Sequence, residues 1–406
     1  MTLLKCRACS SDKLHSIIPL GMQPLANALL PSSNAAECEQ YNLEVMLCDA
    51  CGLAQLKDLV DPTKLFSEYV YFSSNSDTML KSASSLVEQI LPTLAANALV
   101  VEIASNDGYL LKNYVEQDVK VLGIDPAENI AKHANENGIP TLCDFFGEKL
   151  AIRLSSEGKK ADIIHANNVM AHVPDINSFI RGIKTLLKPN GKAIIEVPYF
   201  LDLVKNLEFD TVYHEHVYYF SVRALKKVFE NNDLEIIDIE KLSIHGGSLR
   251  LFVSHTGESE PQAIVQSTLQ EEETFGLHKP ITFQNFMGQI EELKAELIEK
   301  LKTLKSEGAK IAAYGASAKG TTLLNYFGIG KDLLEFVVDR SPAKVGKFTP
   351  GKQLEIFSPT KLAQAGISHA LLLSWNFAGE IMDQQKDFIN KGNKFIIPLP
   401  KVKLAP

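Results

Sequence analysis

The chain has 406 residues, which at roughly 150 residues per domain predicts two or three domains rather than one. With 45% apolar and 22% charged residues it has the composition of a packed globular protein, which excludes a disordered or fibrous chain, and its formal charge of −8 opposes binding to nucleic-acid phosphates or anionic membranes. No apolar run reaches the roughly eighteen residues needed to cross a bilayer, and the opening MTLLKCRACSSDKL lacks the apolar core of a signal peptide, so the cytoplasm is the expected compartment.

Four of the six cysteines fall in two pairs, Cys6 with Cys9 and Cys48 with Cys51, each separated by two residues. That gap lets both thiolates of a knuckle face one ion, and two knuckles close a tetrahedral sulfur site, the donor set of structural zinc. The alternative is four ordinary buried cysteines. Cys38 and Cys143 stand alone and read as small buried hydrophobes.

From about residue 73 short apolar strands alternate with helical stretches, the pattern of a mainly parallel sheet wrapped by helices. Residues 98–105, 119–125, 161–168 and 192–198 read as four successive strands, rich in Val, Ile and Ala. Residues 234–242 and 248–256, joined by a short link, predict an antiparallel hairpin that closes the sheet, the layout of class I methyltransferases. The acidic stretch 257–282 reads as a linker or domain boundary. Residues 286–304 then predict a long helix with one apolar stripe (Ile290, Leu293, Leu297, Leu301, Leu304). Strands at 310–316, 336–339, 369–374 and 394–398 predict a second, smaller α/β domain.

Ligands bind at the carboxyl ends of such strands. The first ends in VVEIASNDGYLL, which places Glu102, Asn106, Asp107 and Gly108 at a strand-to-helix turn, and the second ends in Asp125, positioned to accept from a ribose hydroxyl pair. A dinucleotide needs a glycine-rich turn poor in carboxylates for its pyrophosphate. This turn carries Asp107 and a single glycine, which suits the cationic sulfonium and ammonium of S-adenosylmethionine. Asn167 and His172 lie at and just after the end of the third strand, on the same rim.

The densest ionisable cluster is Tyr213, His214, Glu215 and His216. It fits a solvated loop, a metal site through the two histidines, or acid/base groups lining an active site. An extended strand would put both histidines on one face. Farther on, the loop of residues 315–322 follows a strand and opens a helix, so its amides and Lys319 can hold an anion, although a plain tight connection fits equally. Tyr314, Ser317 and Arg340 sit at or near the same strand ends.

The CxxC…CxxC opening with PLGMQPLANALL between, then VEIASNDGYLL, ANNVMAHVPD, YHEHVYYFS, HGGSLRLF, YGASAKGTTLLNY and LLLSWNF, resembles the sugar-nucleotide C-methyltransferases of deoxysugar biosynthesis, over nearly the whole chain and in the same order. The resemblance implies an α/β protein in three parts: a zinc-binding N-terminal domain (1–72), a class I methyltransferase (Rossmann-like) core (73–257) and a Rossmann-like C-terminal domain (258–406). It implies methyl transfer from S-adenosylmethionine to carbon 3 of a thymidine-diphospho 4-keto sugar by a monomer or small homo-oligomer. His216 would be the general base, with Tyr213 and Glu215 beside it and His172 a further active-site residue. The donor would meet Glu102, Ala104, Asn106, Asp107, Gly108, Asp125 and Asn167, and the nucleotide sugar would meet Tyr314, Ser317, Lys319 and Arg340. Ala104 departs from the glycine that the family often shows there. A relative that binds sugar nucleotides without methylating them is the alternative on the same scaffold.

Overall fold

The computed structural model describes residues 5–32, 38–61, 64–65, 74 and 76–406, and the expected boundary at residues 72–73 lies outside them. Among the described residues the strands in chain order begin with β1 (Leu14–Pro24), β2 (Gln40–Cys48) and β3 (Ala54–Leu56). Next come β4 (Leu99–Ile103), β5 (Lys120–Ile124), β6 (Thr141–Leu142), β7 (Ala161–Asn167), β8 (Leu187–Pro198), β9 (Tyr218–Tyr219), β10 (Leu234–Leu242) and β11 (Ser248–His255). The last are β12 (Ile311–Tyr314), β13 (Val337–Val338), β14 (Ile356–Phe357), β15 (His369–Leu372), β16 (Lys394–Ile397) and β17 (Lys403–Ala405).

In β2 the buried residues Leu43, Val45 and Leu47 recur at every second position, the pattern of a sheet with one covered face. That sheet is antiparallel in the order β1-β2-β3-β9. Its last strand comes from the middle of the chain, so the division at 72–73 does not separate the first two units cleanly.

The second sheet has the order β10-β11-β8-β7-β4-β5-β6. Strands β8 to β6 along it are parallel, and β11 runs antiparallel between β8 and β10, as expected for the class I methyltransferase fold. Residues Val100 to Ile103 are all buried, because helices cover both faces. The order reverses between β4 and β7, which opens a crevice at their carboxyl ends. The third sheet, β14-β13-β12-β15-β16-β17, repeats that reversal between β12 and β15 and is parallel except for β17.

The stretch 257–282 is not a linker. It holds the helix Ala263–Phe275, stopped by Gly276 in the left-handed conformation at φ +79°, and its inward face carries Val265, Thr268 and Glu272. Two polar residues on that face hid the apolar period. The long helix starts at Pro280, a residue suited to a first turn, and runs to Ser306 with the expected stripe buried. One apolar cluster passes from Val45 and Leu47 through Ile195 and Phe209 to Ile290, Leu323 and Leu371, so a continuous core joins all three sheets. Among the described residues no helix is long and apolar enough to cross a membrane.

Candidate active site

The four paired cysteines converge. Their sulfurs lie within 4.8 Å of one another, with Cys6 Sγ and Cys51 Sγ 3.6 Å apart and Cys9 Sγ and Cys48 Sγ also 3.6 Å apart. A tetrahedron with metal–sulfur bonds of about 2.3 Å has edges of about 3.8 Å, so this cage fits zinc. The hydrogen bond to Cys6 and burial raise the Cys51 thiol, and burial pushes Cys9 up to about 11. Four thiolates can therefore share this space only around a cation.

At the crevice of the second sheet, Asn106 N–H donates to Asp125 Oδ2 at 3.0 Å and Ala127 N–H to Asp125 Oδ1 at 2.9 Å, which ties the turn after β4 to the end of β5. The turn is tight: Ala104, Asn106 and Gly108 all have positive φ, and a Cβ at Gly108 would press on Ile139. Glu102, Asp107 and Asp125 are buried together. Loss of hydration, then repulsion from Asp125 and Asp107, drives Glu102 well above the usual carboxylate range. Glu102 Oε2, Asp107 Oδ1 and Asn167 Oδ1 have no hydrogen-bond partner among the described residues. A crowded acidic pocket short of donors matches the sulfonium and ammonium of S-adenosylmethionine.

The segment of residues 213–216 is a turn and not a strand, so its two histidines diverge. His214 is buried edge-on against Tyr41, and burial pushes its pKa down to about 4. His216 instead places Nδ1 3.0 Å from the Thr211 carbonyl oxygen, which only accepts, so Nδ1 carries the hydrogen. Nε2 lies 2.7 Å from Tyr213 Oη, and in the neutral ring it is the lone-pair nitrogen that accepts from the phenol. His172 stands edge-on to His216, ring centres 4.9 Å apart, and desolvation pushes it down to about 4. Val217 N–H donates to the Ala171 carbonyl at 2.7 Å, which fastens this turn to the rim after β7. Glu215 is buried and accepts from Asn27 Nδ2 at 2.7 Å, and desolvation raises it to about 7. The solvated-loop and histidine-metal readings both fail, because the turn is largely buried and, among the described residues, only the four cysteines group as metal ligands.

The third unit reaches this region through the helix Ala318–Phe327 and the turn Trp375–Phe377. Trp375 Nε1–H donates to Asp210 Oδ2 at 2.7 Å, Thr322 Oγ1 to the Val212 carbonyl at 3.2 Å, and Thr321 Oγ1 to the Ala26 carbonyl at 2.9 Å. Lys319 Nζ lies 4.5 Å from the centre of the Trp375 ring. Burial pushes Glu208 up to about 8 and Asp210 to about 6, against the pull of Lys319. The HGG turn packs beneath: a Cβ at Gly246 would strike the Glu208 carboxylate, and one at Gly247 that of Asp202.

Lys319 therefore joins the cluster, while the side chains of Tyr314 and Ser317 bond within the third unit. Ser317 caps its own helix, accepting from Gly320 N–H at 3.1 Å. Tyr314 is buried in the third sheet's far core and accepts from Gln385, while Arg340 is exposed. Asn27, Asp210 and Thr322 escaped sequence reasoning. Asn27 lies inside the PLANALL segment, but nothing local marks it as a partner of Glu215.

Residues 6–66 match the family described as "Putative zinc binding domain", residues 77–239 a methyltransferase domain family, and residues 243–400 the C-methyltransferase C-terminal domain family. The chain is 33% identical over 404 residues to the C-methyltransferase NovU of Streptomyces niveus, covering 98% of this chain and 96% of that one. It is 28% identical over 162 residues to a ubiquinone biosynthesis O-methyltransferase of Bartonella bacilliformis, covering 35% of this chain and 62% of that one. The magnesium protoporphyrin IX methyltransferase of Synechocystis with bound SAH is similar at 15% identity and a TM-score of 0.36, over 48% of this chain and 92% of that one, too slight a likeness to carry weight. With three matched domains and end-to-end similarity to one such enzyme, the chain belongs to the C-methyltransferase family and is an S-adenosylmethionine-dependent, zinc-binding methyltransferase.

Proposed function

We propose that the enzyme methylates carbon 3 of a thymidine-diphospho 4-keto deoxysugar, with units at 1–72, 73–257 and 258–406 and the sugar nucleotide held where they meet. The observation that carries the chemistry is the His216 imidazole, held with Nε2 facing a phenol and Nδ1 anchored on the Thr211 carbonyl. Transfer to oxygen or nitrogen needs no base for a carbon acid. Transfer to a carbon beside a ketone does, and an imidazole fixed in this way suits it when neutral.

In this reading the proton on the carbon passes to His216 Nε2, and the electron pair of that C–H bond is held as an enolate. Tyr213, already in contact with Nε2, and Glu215, raised to about 7 and so able to carry a proton near neutrality, donate to the enolate oxygen or return the proton. His172 walls the imidazole. Glu102, Ala104, Asn106, Asp107, Gly108, Asp125 and Asn167 would hold S-adenosylmethionine, which when bound supplies an electrophilic methyl on a cationic sulfur. Lys319, beside Trp375 and close enough to act on Glu208 and Asp210, would meet the diphosphate. Tyr314, Ser317 and Arg340 would line the same side of the nucleotide sugar, although the first two already bond within the third unit and Arg340 is exposed. A thymidine-diphospho sugar made in the cytoplasm accords with thiols arranged for metal rather than for disulfides.

The test is incubation of a panel of nucleotide 4-keto deoxysugars in deuterated buffer, with and without the donor, read by mass spectrometry. Deuterium next to the ketone without donor, and methylated product only with it, are expected. His216→Ala should lower both by about two to four orders of magnitude while S-adenosylmethionine binding by calorimetry is kept. Near-normal turnover in that variant would remove His216 from the base role.

A further inference from the structure

Gln55 joins the cysteine cage to the turn that carries His216. It lies in β3 and is fully buried. Its side-chain amide is engaged at both ends: Oε1 accepts from Arg7 N–H at 3.0 Å, and Nε2 donates to Cys6 Sγ at 3.1 Å. Its backbone is paired with Tyr218 of β9, and Leu56 N–H donates to the Val217 carbonyl at 2.8 Å. Val217 directly follows His216. Arg7 tightens the same joint, because its Nη1–H donates to the Leu56 carbonyl at 2.6 Å.

We infer that Gln55 is a positioning residue, through which the metal-filled cage holds the His216 turn at the rim of the methyltransferase sheet. An amide N–H on a metal-bound thiolate is a strong, oriented contact, and one residue both makes that contact and pairs with the strand leaving the turn. β9 is only two residues long and gains no support from its own sheet neighbours on one side. Within the first sheet its register depends on β3, which Gln55 and Arg7 tie to the cage, while Val217 N–H also bonds the Ala171 carbonyl. The effect on turnover rests on His216 acting as proposed above. The effect on the order of the turn does not.

The experiment combines hydrogen exchange of the 213–219 amides, read by mass spectrometry, with zinc content, S-adenosylmethionine titration and kinetics. Gln55→Leu should keep one zinc per chain and unaltered donor affinity, speed exchange at 213–219 by about 10- to 100-fold, and lower kcat by a similar factor with KM nearly unchanged. Exchange in β4 should stay as in the wild type. Should Gln55→Leu fail to fold, Gln55→Glu, which keeps the acceptor for Arg7 and loses the donor to Cys6, and wild-type enzyme stripped with a chelator carry the same test. Unchanged protection at 213–219 in these forms overturns the inference. If the wild type methylates no 4-keto sugar, the proposed reaction fails while the exchange result still decides the role of Gln55.

Discussion

Ala104 holds its backbone at φ +55°, a conformation that costs an L-residue about 1 kcal/mol and glycine almost nothing. Ala104→Gly should therefore stabilise the fold by up to about 1 kcal/mol in thermal unfolding. It should leave donor affinity equal or higher, and a loss of affinity on calorimetry would show that the methyl itself contacts the donor. Glu215 presents a different cost. Desolvation raises its folded pKa to about 7 from 4.5, so between those values the folded state keeps a proton that the unfolded state has lost, and stability falls as pH rises. Glu215→Gln removes that penalty and keeps an oxygen for Asn27. The variant should gain on the wild type from pH 5 to 7, by up to about 3 kcal/mol, and hold a constant lead above pH 7. A lead independent of pH would place the charge elsewhere.

The helix Val222–Glu230 shows how an element depends on a distant acid. Ser221 Oγ accepts from Ala224 N–H at 3.1 Å, and Glu272 accepts from Val222 and Arg223 N–H at 2.6 and 3.0 Å, which together satisfy three of the donors that every helix start leaves open. The helix Ala263–Phe275, which carries Glu272, is thus bound to the methyltransferase unit by its one buried carboxylate. Glu272→Ala leaves two N–H groups without partners and should cost about 2–3 kcal/mol in denaturant unfolding, with little change in zinc content. The acidic text of this helix looked like a linker because periodicity counts apolar residues, and a buried Glu and Thr do not register.

Across the whole molecule the three units are interlocked rather than strung together. β9 lends the methyltransferase unit's chain to the first sheet, Thr321 reaches Ala26, Trp375 reaches Asp210, and one core continues through all three. Zinc loss through Cys48→Ser should therefore lower the midpoint of a single unfolding transition in calorimetry instead of melting the first unit alone, and two resolved transitions would contradict the continuous core. Trp375→Phe removes the indole donor to Asp210 Oδ2 and should destabilise the junction by about 1–3 kcal/mol, seen as faster proteolysis between the second and third units. Equal proteolysis rates would show that Trp375 does not secure it.

Spacing and period are local properties, and what they encode was legible in the sequence. The two knuckles, the alternation of strands and helices, the hairpin Leu234–Leu242 with Ser248–His255, and the acidic turn after β4 all follow from residues close together in the chain. Within the YHEH segment the residue types pointed to acid/base chemistry, but which histidine faces which partner did not follow from them. Only the folded chain decided that His214 turns to Tyr41 and His216 to Thr211 and Tyr213, since a turn in place of a strand sends the two rings to different sides. Only the folded chain brought Asn27 to Glu215, Trp375 to Asp210 and Gln55 to both Cys6 and Tyr218. Those pairs span separate units, and a contact between distant segments is set by how the sheets pack, for which no single stretch of sequence carries a signal.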